Sequence, residues 1–194
     1  FFMKQFKKKE LKEKIEMSKE FCEFHDEILN ISNLNFDINI HQLIPTFDLE
    51  SKNKQGLLVN HYMGLGKTIT GLIFASYYTN KYKKNLILLI PDFLKSTWIS
   101  EIKLRNFNID ISNIIFLTFE NFKEDIKDLL INFKSSKQKK SFGKKYCLVV
   151  DESHKLTGLL LNLFEEKDKN FENYYNLLQK VDKKIFLTGT PFYN

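Results

Sequence analysis

The stretch His61–Thr68 reads HYMGLGKT, and it decides the fold of this chain. It follows a short apolar run and opens a segment with helical periodicity, which is the setting of a phosphate-binding loop. Such loops have the pattern G-x-x-x-x-G-K-[ST], and His61 stands here at the position of the first glycine. Because the match is partial, a plain glycine turn between a strand and a helix is the alternative interpretation.

The rest of the loop has the chemistry that phosphate binding requires. Its two glycines allow positive φ angles, so that backbone N–H groups face a phosphate, and the following helix adds the positive end of its dipole. Lys67 can reach the β- and γ-phosphates of a nucleotide, and Thr68 can ligate Mg²⁺. We predict a nucleotide site formed by Met63, Gly64, Leu65, Gly66, Lys67 and Thr68.

Outward from this loop, apolar strands alternate with helices. The run NLILLI is continuously apolar, as a strand buried on both faces requires. Alternation without hairpin turns predicts βαβ units and a parallel sheet, so the expected fold class is α/β. The predicted strands are Gln55–His61, Asn85–Ile90, Ile114–Thr118, Tyr146–Val150 and Lys184–Thr188. The predicted helices between them are Lys67–Tyr78, Asp92–Leu104 and Glu120–Phe133, and residues 156–181 are predicted to be mostly helical.

The remaining segments set the domain organisation. Residues 4–30 have helical periodicity, so we predict an N-terminal helical extension over residues 1–35 and a nucleotide-binding domain over residues 36–194. Residues 31–55 read as irregular, because Asn, Asp and Ser are frequent there and Pro45 interrupts them. Residues 134–145 read as a solvated basic loop at the amino edge of the sheet, whereas ligands of open α/β sheets bind at the carboxyl edge.

Composition limits the classes of function. The chain has 194 residues, 43% of them hydrophobic, which suits one globular domain with a tail. A net charge of +6 is compatible with an anionic partner but does not establish one. Cys22 and Cys147 lack metal-ligand spacing, and no apolar window has the length of a membrane span. Arg105 is the only arginine, so a site that requires an arginine clamp has one candidate.

Two adjacent carboxylates follow the predicted strand YCLVV, in the segment VDESHK. At the carboxyl end of a strand, Asp151 can hold Mg²⁺ through its water shell, and Glu152 can accept a proton from an attacking water. An Asp-Glu pair at a strand end is by itself an ordinary helix N-cap. The last strand leads into LTGTP, where Thr188 and Thr190 can hydrogen-bond towards the acidic pair.

These three segments together resemble the superfamily-two helicase-like ATPases. HYMGLGKT looks like motif I of that superfamily, DESH like the DExH box, and LTGTPFYN like motif III. The motif sequences are most similar to those of two branches of the superfamily. One is the Swi/Snf-type DNA translocases, and the other is the nucleoside triphosphatases and early transcription factors of poxviruses and related large DNA viruses. The resemblance covers residues 40–194 and implies a parallel-sheet, RecA-like P-loop domain, the first lobe of a two-lobed motor.

The resemblance also implies roles for residues outside the three segments. Gln42 is similar to the glutamine that reads adenine, and His154 would link the DExH box to motif III. Lys95 lies in a segment similar to motif Ia, which approaches the nucleic-acid backbone, and Thr118 lies in one similar to motif Ib. For Gln42 a solvated loop glutamine, and for Thr118 a threonine that caps a helix, stay open as alternatives. For Trp98 itself we predict a buried side chain on an amphipathic helix.

The implied activity is that of a nucleic-acid-dependent ATPase, the lobe of a DNA translocase or helicase in transcription, chromatin or viral genome handling. Lys67 and Glu152 would be catalytic, and ATP and Mg²⁺ the cofactors. The implied partners are duplex DNA or RNA, a second RecA-like lobe in a longer chain, and the transcription machinery, with no membrane. The implied location is intracellular: cytoplasm or virion for the viral branch, nucleus for the Swi/Snf branch. The alternatives are a DExH-type RNA helicase and an ATP-switched transcription-factor subunit.

Overall fold

Five parallel strands form one sheet in the order β1-β5-β4-β2-β3. This computed structural model describes residues 18–32, 36–62, 64–131 and 136–189. The strands are β1 (Gly56–Asn60), β2 (Asn85–Ile90), β3 (Ile115–Thr118), β4 (Tyr146–Val150) and β5 (Lys183–Thr188). The predicted α/β class, the parallel sheet and all five predicted strands are confirmed.

Helices connect the strands and cover both faces of the sheet. They are α1 (Lys19–Ser32), α2 (Ile40–Ser51), α3 (Lys67–Lys81), α4 (Lys95–Leu104), α5 (Phe122–Ile131), α6 (Ser136–Lys145), α7 (His154–Glu165) and α8 (Phe171–Lys180). Short 3₁₀ turns at Asp92–Leu94 and Ile111–Asn113 precede α4 and β3. The helical segment predicted over residues 156–181 is therefore two helices, and the part of the predicted N-terminal helix before residue 18 lies outside the described residues.

Two segments that are expected from the sequence to be irregular each contain a helix. Helix α2 has 12 residues and lies within the segment 31–55. Its buried Leu43 and Leu49 join the core, and this packing overrides the cost of Pro45 inside the helix. Helix α6 occupies most of the predicted basic loop. Its Phe142 is buried, and a side chain at Gly143 would place its Cβ 1.8 Å from the carbonyl oxygen of Lys180. The buried ring of Phe142 and the close backbone contact at Gly143 thus help to hold α6 against the protein.

The two faces of the sheet have separate apolar cores. Side chains of β2 alternate between them: Leu88 joins the core formed with α1, α2, α3 and α4, whereas Ile87 joins the core formed with the later helices. Helix α1 belongs to the first core, where the ring of Phe24 lies 5.2 Å from that of Tyr77 on α3. The division of the chain at residue 35 stays a prediction, and the packing shows α1 sharing a core with the sheet.

None of the helices in the described part of the chain has both the length and the apolar character needed to cross a bilayer.

Candidate active site

Three segments meet at the carboxyl edge of the sheet. β1 ends in the glycine loop, β4 ends in Asp151 and Glu152, and β5 ends in Thr188. Because β5 lies between β1 and β4 and all strands run parallel, their carboxyl ends are neighbours. Two backbone hydrogen bonds tie the segments together: His61 N donates to the carbonyl of Thr188 (3.1 Å), and Ser153 N donates to the carbonyl of Leu187 (2.9 Å).

The glycine loop has the backbone that phosphate binding requires. Gly64 and Gly66 have φ angles of 84° and 77°, which lie in the left-handed region that residues with a side chain rarely adopt. A Cβ at Gly66 would lie 2.2 Å from Nε2 of Gln42, so a side chain there would displace the Gln42 amide. Met63 lies outside the described residues.

Consecutive residues of α2 hold this loop from outside. His41 Nε2 donates to the carbonyl of Leu65 (3.0 Å), and Gln42 Nε2 donates to the same carbonyl (3.4 Å). The other end of the Gln42 amide accepts from the backbone N–H of Asn39 (3.2 Å). Gln42 is therefore a buried residue that positions the loop, not a solvated loop glutamine. The contact of His41 is new, since nothing in the sequence pattern gives this histidine a role.

His61 lies at the start of the loop, and its ring packs against that of His41 at a centroid distance of 5.3 Å. Burial lowers the pKa of His61, and the nearby charges of His41 and Lys67 lower it further. A neutral imidazole at this position adds no charge of its own beside the loop.

Lys67 and Glu152 join the loop to the acidic pair. Lys67 Nζ lies 3.0 Å from Glu152 Oε1, and the two side chains are 14% and 26% exposed. Glu152 has a φ of 50°, a left-handed conformation that is uncommon for a residue with a side chain. Its other oxygen, Oε2, lies 3.4 Å from Nδ1 of His154. The predicted catalytic residues are thus in direct contact.

Asp151 is 2% exposed and accepts two hydrogen bonds. The backbone N–H of Glu152 donates to Oδ1 (2.9 Å), and the indole N–H of Trp98 donates to Oδ2 (3.2 Å). Burial raises the pKa of this carboxyl, and the two donors oppose that rise. The predicted burial of Trp98 is confirmed. Its hydrogen bond to Asp151 was not predicted. The sequence offered one indication of such a bond, because a buried indole N–H generally has an acceptor.

The structure brings His154 and Thr188 together. Nδ1 of His154 lies 3.2 Å from the hydroxyl oxygen of Thr188, as the expected link between the DExH box and motif III requires. Thr190 lies outside the described residues. The side chain of Thr188 is buried, so this contact is shielded from water.

The two expected nucleic-acid residues have different surroundings. Lys95 is exposed at the start of α4, with its Nζ 4.9 Å from the ring centre of Phe116. Thr118 is 5% exposed, and its hydroxyl donates to Asp125 Oδ2 (3.1 Å) and accepts from the N–H of Asn121 (3.2 Å). These contacts are those of a threonine that caps the strand-to-helix junction.

Comparison with known proteins identifies the family of this chain. Residues 7–193 match the family model described as "Type III restriction enzyme, res subunit". The chain belongs to this family. It is a helicase-family ATPase domain, and the resemblance to helicase-like ATPases is confirmed.

Individual relatives place this helicase-family domain near viral enzymes. A termination factor NPH-I homolog of African swine fever virus is 31% identical over 163 residues, which are 76% of this chain and 22% of that protein. Nucleoside triphosphatase I of Amsacta moorei entomopoxvirus is 25% identical over 178 residues, which are 85% of this chain and 26% of that protein. The chain therefore spans about a quarter of the length of these relatives.

A solved structure supports the fold. The SWI2/SNF2 ATPase core of Sulfolobus solfataricus, solved in complex with dsDNA, superposes with a TM-score of 0.50 at 17% identity. The match covers 84% of this chain and 34% of that chain. At this identity the likeness concerns the fold of the helicase-family lobe.

The donor atoms of the helicase-family site suit Mg²⁺. Thr68 offers a hydroxyl and Asp151 a carboxylate, which are the hard oxygen ligands that this ion prefers, alongside phosphate oxygens and water. A carboxylate has about four acceptor positions, so the two hydrogen bonds to Asp151 leave capacity for a metal-bound water. Among the described residues, no group of three or more His, Cys, Asp or Glu side chains is arranged to hold a metal ion without a nucleotide.

Proposed function

We propose that this site binds Mg·ATP and that the domain couples ATP hydrolysis to movement along nucleic acid, with duplex DNA as the favoured track. The observation that carries the proposal is the 3.0 Å contact between Lys67 Nζ and Glu152 Oε1, which joins a phosphate-binding loop to an acidic box. A glycine turn with only a structural role does not require an ammonium group next to a carboxylate that follows a different strand.

The nucleotide-binding roles are divided along the loop. Backbone N–H groups around Gly64 and Gly66 would face the phosphates, and Lys67 would supply positive charge to the β- and γ-phosphates. Thr68 and Asp151 would hold Mg²⁺, which when bound neutralises phosphate charge. Gln42 is the proposed contact to adenine, which it would make with the amide that now bonds to the backbone of Leu65 and Asn39.

The Lys67–Glu152 contact suggests how the site changes when ATP enters. Phosphate oxygens compete with Glu152 for the Lys67 ammonium, so the arrival of the substrate releases the Glu152 carboxylate. The released carboxylate can then orient a water and accept its proton. His154 lies beside both Glu152 and Thr188, so a change at Glu152 would reach the end of β5.

Movement along DNA requires parts beyond this site. We propose that a second RecA-like lobe closes over the nucleotide and that it supplies the arginine that stabilises the transition state. The only arginine of this chain, Arg105, pairs with Glu101 at 2.6 Å and lies over the ring of Phe36. Lys95 is the proposed phosphate-backbone contact, and Thr118 would contribute its hydroxyl only by giving up Asp125.

The name of one more viral relative, the early transcription factor 70 kDa subunit of Melanoplus sanguinipes entomopoxvirus, favours a role in transcription. A protein of this viral type would act in the infected cell's cytoplasm or in the virion, together with the transcription machinery.

The test is ATP turnover of the full chain without nucleic acid and with duplex DNA, single-stranded DNA or RNA, each compared with the variant Lys67→Ala. We expect duplex DNA to stimulate turnover most, and a duplex-tracking assay such as triplex displacement to report movement without strand separation. Strand separation would favour a helicase, preferential stimulation by RNA an RNA helicase, and binding of ATP without stimulated turnover a switch. Turnover that is the same in the variant would refute the assigned site.

A further inference from the structure

The indole N–H of Trp98 reaches the acidic box from helix α4. Its nitrogen lies 3.2 Å from Oδ2 of Asp151, and both side chains are buried, at 0% and 2% exposure. Trp98 belongs to neither the phosphate loop nor the acidic box. Helix α4 also begins with the exposed Lys95, three residues before Trp98.

We propose that Trp98 is a positioning residue for the metal site: its indole N–H holds the Asp151 carboxylate in the orientation that binds Mg²⁺, and it links helix α4 to that site. The inference rests on the proposed function, because it assumes that Asp151 serves Mg²⁺. It adds a residue to that site and a route by which a nucleic-acid contact on α4 can affect it.

The two hydrogen bonds to Asp151 come from opposite ends of the carboxylate. The N–H of Glu152 holds Oδ1, and the Trp98 indole holds Oδ2, so rotation of the carboxylate would break at least one of them. An indole nitrogen can only donate, so it cannot compete with Asp151 as a metal ligand or accept a proton from it. Partners of this kind, which hydrogen-bond a ligating carboxylate, typically change metal affinity by 10- to 100-fold when removed.

The ring of Trp98 is itself held rigidly. A Cβ added at Gly71 on α3 would lie 2.6 Å from Cη2 of Trp98, 2.9 Å from Cδ1 of Leu187 and 3.3 Å from Cγ1 of Val149. The absence of a side chain at Gly71 thus lets the indole lie between α3 and the sheet. Because Trp98 belongs to α4, a displacement of that helix would pull on the indole and change its hydrogen bond to Asp151.

The first experiment removes only the donor. Trp98→Phe keeps an aromatic ring and loses the N–H. A fluorescent ADP analogue is titrated onto the 194-residue chain, first in EDTA and then with increasing Mg²⁺. We expect affinity in EDTA within about twofold of the wild type, and a Mg²⁺ half-saturation concentration raised about tenfold. Asp151→Asn is the reference variant, because it shows how much the Mg²⁺ half-saturation concentration rises when the carboxylate itself is lost.

A matched control is Tyr78→Phe. Tyr78 is also fully buried and also loses a donor to a carboxylate, since its hydroxyl donates to Glu50 at 3.1 Å, but that contact lies on the far part of α3. This variant should keep the Mg²⁺ dependence of the wild type. An equal change in both variants would attribute the effect to general loosening and overturn the proposal.

A second measurement needs no variant of Trp98. It is the only tryptophan in the 194 residues, so tryptophan emission reports on this indole alone. We expect emission to change when Mg²⁺ is added in the presence of ADP, and not to change in Asp151→Asn. This titration decides the question if Trp98→Phe does not fold.

The outcomes separate this inference from the proposed function. If the wild type binds no nucleotide, or binds it without Mg²⁺ dependence, both the proposed function and the inference about Trp98 are overturned. If the wild type binds Mg·ADP normally but Trp98→Phe keeps its Mg²⁺ dependence and the emission does not respond, only the inference about Trp98 is overturned.

Discussion

Replacing Glu152 by glutamine should change nucleotide binding and hydrolysis in opposite directions. The structure places the Glu152 carboxylate against Lys67, the side chain that would otherwise face the phosphates. Glutamine keeps the size and the hydrogen-bonding capacity but loses the charge and the ability to take a proton. ATP should therefore bind more tightly to Glu152→Gln, while turnover collapses.

The size of the binding effect follows from the ion pair. At 3.0 Å and an effective dielectric constant of about 20, the Coulomb attraction is about 5.5 kcal/mol before the cost of desolvation. The two side chains are 14% and 26% exposed, so solvent and desolvation reduce the net value to about 1 kcal/mol. Releasing Lys67 from this competition should tighten ATP binding about fivefold. Loss of the general base should lower turnover by about 10²- to 10⁴-fold.

The assay is a titration with a slowly hydrolysed ATP analogue, together with single-turnover hydrolysis. Glu166→Gln is the matched control, because Glu166 forms a similar pair with Lys123 (2.9 Å) at the far end of α7. This control should change neither quantity. Weaker binding by Glu152→Gln, or turnover within tenfold of the wild type, would refute the assigned competition and the assigned base.

Three further perturbations follow from the same geometry. Lys67→Ala should lower turnover by about 10²- to 10³-fold and weaken ATP binding, measured by titration and phosphate release, since it removes the point charge at the phosphates; unaltered turnover would contradict the site. Neutralising Lys137, Lys139 and Lys140 together should leave the salt dependence of DNA affinity unchanged, because α6 leads directly into β4 and so lies at the amino edge of the sheet. In contrast, Lys95→Ala should lower the slope of log affinity against log salt concentration by about 0.9. A slope change of about two in the triple variant would make α6 a DNA contact. Gly71→Ala should destabilise the fold by about 1–3 kcal/mol in urea unfolding, because its Cβ would overlap Trp98 and Leu187, while Gly158→Ala, which meets nothing within 4 Å, should not destabilise it.

Local patterns in the sequence were sufficient for the framework of the site. The strand β2 was predicted with its observed bounds because a buried parallel strand needs a continuous apolar run, and this requirement is visible in six residues. Lys67 and Glu152 were assigned because glycine loops and acidic residues at strand ends have recognisable chemistry. Parallel strands then bring their carboxyl ends to one edge, whatever their order.

The helices that lack a strong local signal were not predicted. Helix α2 contains Pro45 and helix α6 is mostly lysine and serine, so neither has the pattern of a stable isolated helix. Each is held by long-range contacts: Leu43 and Leu49 in the core for α2, and Phe142 and Gly143 for α6. Such contacts join residues far apart in the chain, and no short window of sequence contains both partners.

Sequence by itself determined that the chain is an α/β domain with a candidate phosphate loop, because the periodicity of burial and the pattern of a phosphate loop both involve only a few neighbouring residues. Tertiary structure alone decided the strand order, in which β5 lies between β1 and β4. It also decided the hydrogen bonds from His41 and Gln42 to the loop and the hydrogen bond from Trp98 to Asp151. The physical reason is that these features depend on which surfaces pack together. A buried indole N–H must find an acceptor, but only the packing of α4 against the sheet determines that the acceptor is the proposed metal-binding carboxylate.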